Sequence, residues 1–194
     1  MTRNAALRLL VVAWGLTACA SLQPLAKPRD ALTVAEHMTL GNTYLAHNEK
    51  NLAIQQYRAA LDQDRHDVPA LMALGNIAFE ERQWGQARSY FRRALKSAPN
   101  DAGASNNLAM VYLEEGKHLD IAQRLVNKAL PKAGPLAPYL WDTRANIALS
   151  EGRYADAKSA LDQAEAGAPA NNPEFNKHLQ ESRQKLAEAL KPRN

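Results

Sequence analysis

Hydrophobic and polar positions along the chain recur with a period of 34 residues. Leu40-Gly41-Asn42-Thr43-Tyr44-Leu45 returns 34 residues later as Leu74-Gly75-Asn76-Ile77-Ala78-Phe79. The residues downstream of each copy keep their spacing: Gly41, Ala53 and Ala60 are 12 and 7 apart, as are Gly75, Ala87 and Ala94. Ala109, Ala122 and Ala129 come next at 13 and 7, and Ala145, Ala157 and Ala164 return to 12 and 7. Leu40, Leu74 and Leu108 precede the first small residue of a copy, and Tyr57, Phe91, Val126 and Leu161 stand three residues before the last. Apolar positions at i, i+3, i+4 and i+7 form one face of an amphipathic helix. Each copy therefore predicts two helices, joined by a turn near HNEKN, ERQWG, EEGKH or SEGR. Gly or Ala at a crossing lets two helix axes approach while larger residues interlock above and below. A bulky residue at Ala94 would overpack that crossing at a cost of about 1–3 kcal/mol.

Helix-end signals fall in the same register. Thr33 and Glu36 have capping-box spacing and predict the first helix start. Asp67 precedes Val68-Pro69, where a proline in the first turn costs no hydrogen bond. Gly116 and Gly152 stand where helices end, and Pro99 and Pro169 close the second and fourth copies. The units resemble tetratricopeptide repeats, two-helix modules of 34 residues that stack into a superhelix. The resemblance implies an all-α solenoid with units at 34–67, 68–101, 102–137 and 138–171, the third two residues longer than the first two. Departures from the family pattern are Arg65 and Gly134 where a proline is expected, Ala78 and Ala148 in place of an aromatic, and Arg144 in place of a leucine. A stack of repeats leaves its last helix with an uncovered apolar face. Asn172-Pro173-Glu174 opens a further helix in which Phe175, Leu179, Leu186 and Leu190 fall along one stripe, so residues 172–194 read as a capping helix and tail, with a docking helix for a partner as the sharper alternative.

The amino terminus has a different character. Arg3 and Arg8 precede or enter an apolar run, Leu9 to Leu16, too short for a bilayer core of about 30 Å, which takes about 20 helical residues. Charge, short apolar middle and small residues read as a secretory signal. It ends in the chain's single cysteine, and Leu16-Thr17-Ala18-Cys19 resembles the lipobox of bacterial lipoproteins. That resemblance implies a signal peptide over 1–18, acylation of Cys19, and an extended tether over 19–33 containing Pro24 and Pro28. Acyl chains contribute about 0.8 kcal/mol per buried CH₂, and two or more hold stably. Ala20, rather than Asp, comes after the cysteine, which by the family's sorting rule implies the periplasmic face of the outer membrane.

Composition narrows the function classes. Without Arg3 and Arg8, 22 basic residues face 20 acidic ones with signs interleaved, and no run of five like charges occurs. A nucleic-acid partner is not expected from such a pattern. His37, His47, His66, His118 and His178 lack metal-ligand spacing, and there is no second cysteine to join them. Asp62-Gln63-Asp64 with His66-Asp67 lacks the glycine and terminal glutamate of a calcium loop. No phosphate loop, nucleophile elbow or zinc-protease motif is present. The expectation is a protein without catalytic residues, metal or cofactor.

The remaining candidate is a surface. The repeat resemblance implies that the first helix of each unit lines a groove through its fifth, ninth and twelfth positions. These are Met38, Asn42 and Leu45; Met72, Asn76 and Phe79; Asn106, Met110 and Leu113; and Asp142, Asn146 and Leu149. Asparagine at the ninth position of three units can both donate to and accept from a peptide backbone. The alternative is that these amides are solvated or bond neighbouring helices. Methionines beside them adapt to varied side chains. Met38 stands where the family's carboxylate-clamping members carry a lysine, so that clamp is not expected here. The expected role is an envelope adaptor for a protein or peptide partner, by analogy with lipoproteins that assemble pilus and secretion machinery. Positioning a cell-wall hydrolase and acting as a passive spacer are the alternatives.

Overall fold

The computed structural model describes residues 30–191, and Leu32 onward forms one compact unit. The signal segment, Cys19 and most of the tether lie outside the described residues. Four antiparallel helix pairs come one after another: α1 (Val34–Ala46) with α2 (Lys50–Gln63), α3 (Val68–Glu80) with α4 (Trp84–Ser97), α5 (Ala102–Glu115) with α6 (Leu119–Ala129), and α7 (Ala137–Ser150) with α8 (Tyr154–Ala166). A ninth helix, α9 (Pro173–Ala189), closes the stack. Among the described residues there is no strand, and no helix is long and apolar enough to cross a membrane.

Side-chain caps start α1, α3, α5 and α9. Thr33 and Glu36 form a reciprocal capping box, with Glu36 accepting from the Thr33 backbone N–H at 2.7 Å. The Asp67 and Asp101 carboxylates accept from the N–H groups of Ala70 and Ala104, each at 2.7 Å. Asn172 does the same for Phe175 at 3.0 Å. These contacts satisfy N–H groups that have no partner within the helix.

Small residues set how closely paired helices approach. Ala53, Ala87, Ala122 and Ala157 are fully buried, and so are Tyr57, Phe91, Val126 and Leu161. Gly75 lies against the Phe91 ring so tightly that a Cβ built on it would sit 2.4 Å from Phe91 Cε1, and Gly41 meets Tyr57 Cε1 at the same distance. No side chain larger than hydrogen fits there without moving the ring or the helix. The result is a chain of three apolar clusters, the first running from α1 to α5, the second centred on Phe91 and Val126, the third joining α7, α8 and α9.

The turn inside each pair demands a left-handed residue. Asn48, Arg82, Gly116 and Gly152 have φ of 61°, 56°, 62° and 71° at equivalent places. The longer third unit spends its extra residues on two 3₁₀ turns, Leu130–Lys132 and Gly134–Leu136, with Ala133 buried between them.

The stripe expected on the last helix is shorter than predicted. Phe175, Leu179 and Leu186 are buried, but Leu190 is 58% exposed, because it caps the helix beyond the last turn that packs on the core. The other faces of α9 carry exposed Lys177, Gln180, Glu181 and Glu188, as a solvating end helix requires.

Candidate functional site

The first helices of successive pairs stand side by side, and α9 takes the same place beside α7. Six of the predicted groove residues, Asn106, Met110, Leu113, Asp142, Asn146 and Leu149, line one hollow of about 480 Å³. Its far wall is α9, through Phe175, His178 and Lys185. A second hollow of about 240 Å³ contains Asn76, Phe79 and Met110. Met110 belongs to both, so the two hollows adjoin at α5. Met38, Asn42, Leu45 and Met72 line neither hollow. Met38 and Met72 pack half-buried against the first apolar cluster, while Asn42 and Leu45 are exposed. Phe79 stacks edge-on against Trp84 with ring centres 5.2 Å apart, which fixes its ring at the mouth of the smaller hollow.

The three asparagines at the ninth position all bond neighbouring side chains. Asn42 Oδ1 accepts from the Tyr57 hydroxyl at 2.8 Å, and burial pushes that phenol above its ordinary value, so it stays a donor. Asn76 Oδ1 accepts from Asn107 Nδ2 at 2.8 Å. Asn146 Nδ2 donates to the Asp142 carbonyl at 2.9 Å and to Ser182 Oγ at 3.0 Å. Asn106 accepts from Thr143 Oγ1 at 2.8 Å. Asn42 and Asn76 therefore spend their carbonyl ends and keep their N–H₂ ends, whereas Asn146 is tied into the stack.

Asp142 differs most from a free groove residue. It is 5% exposed, and its carboxylate is held from α9, by His178 Nδ1 at 2.8 Å and by the buried Ser182 hydroxyl at 3.3 Å. An unpaired carboxylate at that depth would be costly, and these bonds offset the cost. The hydrogen bond to Asp142 holds the His178 imidazole above its ordinary value of 6.5, with burial and Lys185 opposing and the Asp142 and Glu181 charges adding to it. The raised value makes the contribution of this pair to α9 docking complete below pH 6.5 and progressively lost as pH rises through the folded-state value. Protection of the α9 amides relative to their intrinsic exchange rates is expected to fall across that rise, and His178→Gln is expected to flatten that fall.

His178, Ser182 and Lys185 were not among the predicted groove residues, although the sequence holds their signal. Asn106, Met110 and Leu113 lie 36 residues before Asp142, Asn146 and Leu149, and a further step of 36 lands on His178, Ser182 and Lys185. By spacing, α9 occupies the position of a first helix in a fifth unit.

Comparison with known proteins agrees with this architecture. The "Tetratricopeptide repeat" family model matches residues 38–102 and 72–138, together more than half of the chain. Mouse "Protein O-mannosyl-transferase TMTC1" is 30% identical over 99 residues, 50% of this chain and 10% of that protein. "Uncharacterized protein ycf37" of Pyropia yezoensis is 39% identical over 84 residues, 42% of this chain and 47% of that one. The chain thus spans less than half the length of the relatives it matches. Among solved structures, a tetratricopeptide repeat protein of Parabacteroides merdae superposes with a TM-score of 0.68 at 16% identity, over 84% of this chain and 64% of that one. Pseudomonas aeruginosa pilF superposes with a TM-score of 0.63 at 22% identity, over 81% and 73%. At these identities the likeness is one of fold.

Proposed function

Because the chain belongs to the tetratricopeptide-repeat family, we propose that it is a non-enzymatic adaptor that holds a partner polypeptide along its row of first helices. The observation that carries this reading is the pair of adjoining hollows that share Met110, one reaching to Asn76 and Phe79 and the other to Leu149 and Lys185. Its walls combine adaptable apolar side chains, Met110, Leu113 and Leu149, with the N–H₂ end of Asn76, which has no acceptor among the described residues. An extended peptide presents carbonyls to such a donor and side chains to such walls at regular intervals. The transferase name belongs to animal proteins of which this chain spans a tenth, so it lends no activity here.

The place of action is inferred from the N-terminal segment. Leu16-Thr17-Ala18-Cys19 supports a lipid anchor at Cys19 and a site on the periplasmic face of the outer membrane. The client would then be another envelope protein, with pilus or secretion machinery as the analogy. Capture of that client from envelope extract is expected to weaken roughly five- to thirtyfold in Met110→Ala with Leu149→Ala, the equivalent of one or two kcal/mol, with helicity unchanged. Undiminished capture would exclude the groove. Cys19→Ser is expected to move the protein out of the membrane fraction, and a processed variant still extracted only by detergent would contradict the anchor.

A further inference from the structure

A further cleft, sharing no lining residue with the two hollows above, lies between α4 and α6. A cleft of about 750 Å³ opens there with an apolar floor of half-buried Leu95, Ile121 and Leu125 beside the buried ring of Tyr112. Its rim is basic. Arg88, Arg92 and Lys96 stand four residues apart on α4, a single stripe one turn between members, and Lys117 faces them from the turn before α6. Helix α4 contains no acidic residue at all. Arg88 is paired with Glu115, the one carboxylate on this cleft. Arg92, Lys96 and Lys117 form no ion pair among the described residues. Like charges one turn apart work against the helix that carries them, so a partner supplying carboxylates would relieve a cost as well as form contacts.

The neighbouring cleft shows that this is not the general character of the surface around α4. Between α2 and α4 the equivalent hollow is lined by Asn51, Gln55, Gln83 and Gln86, and its charges are Arg58 and Glu81, one of each sign. The same helix α4 thus presents uncharged Gln86 and Tyr90 to one cleft and cations to the other. We propose that the α4–α6 cleft docks an acidic amphipathic helix of a partner protein, its apolar face on Leu95, Ile121 and Leu125 and its carboxylates, one turn apart, on Arg92, Lys96 and Lys117. An apolar stripe flanked by acids at four-residue spacing matches this surface in both chemistry and period. A nucleic acid would leave the apolar floor unused, and the stripe is too short to neutralise many phosphates.

The test is a fluorescence-anisotropy titration of the full-length protein with a labelled synthetic helix carrying Leu on one face and Glu at i, i+4 and i+8. Binding is expected to weaken roughly tenfold for the Glu→Gln analogue and for Arg92→Gln with Lys96→Gln, the size of effect that losing close charge pairs produces. Lys158→Gln, on α8, is expected to change nothing. Circular dichroism and a thermal melt matching wild type would show that the exposed substitutions leave the fold intact. Equal binding of the Gln analogue, or undiminished binding to the double variant, would overturn the proposal. So would duplex DNA or phosphatidylglycerol vesicles displacing the peptide and losing affinity in the same variant, since the cleft would then be an anion site of another class.

Discussion

Gly75→Ala is expected to destabilise the protein by about 1–3 kcal/mol, although it adds a single methyl group and favours helix formation. The new Cβ would lie 2.4 Å from Phe91 Cε1 and within 2.9 Å of two further ring atoms. Phe91 is fully buried, so either its ring must leave its packed position or α3 and α4 must separate. Chemical denaturation checks the cost. Adding Phe91→Leu is expected to make the pair less harmful than the sum of its parts, the coupling that residues in contact display. Gly85→Ala is the control, because a Cβ at Gly85 meets nothing within 4 Å. It is expected to be neutral or slightly stabilising, and equal destabilisation by both substitutions would disprove the crossing argument.

Phe175→Ala combined with Leu179→Ala is expected to release α9 altogether. Truncating buried Phe and Leu costs about 3–5 and 2–5 kcal/mol respectively, more than one terminal helix can lose and stay docked. The Phe175 ring lies 4.6 Å from that of Tyr139, and both residues belong to the cluster that seals α7 and α8. Hydrogen exchange is expected to show loss of protection over 173–189 with α1 to α4 unchanged, because repeats communicate mainly with their neighbours. Release also exposes the apolar surface around Leu161, which an increase in apolar dye binding would report. Full protection of α9 in the double variant would contradict its role as the cap.

Much of this architecture is legible in the sequence because it depends on size and period. The Gly41, Gly75 and alanine spacings announce helix crossings, and Thr33, Asp67 and Asn172 announce helix starts through chemistry that a single residue type supplies. The left-handed turns were legible only at Gly116 and Gly152. Asn48 and Arg82 adopt the same conformation because the two-helix turn imposes it, and a residue's identity does not reveal conformational strain it merely tolerates. The groove was half legible. Its residues on α5 and α7 converge on one hollow, but Asp142 and Asn146 are engaged by His178 and Ser182 of α9, a helix that lies beyond the four units in which the periodic series was read. The basic cleft was invisible to a search for charge runs, since Arg92, Lys96 and Lys117 come from two elements and meet only after stacking.

The central claim is that a polypeptide partner occupies the line of first helices. Site-specific photocrosslinking in intact cells tests it directly, with the photoreactive residue placed at Met110 in the groove or at exposed Lys158 on α8. A discrete adduct from Met110, absent from Lys158 and abolished by Leu149→Arg, is the predicted result; no adduct from Met110, or one indistinguishable from that at Lys158, would contradict the account.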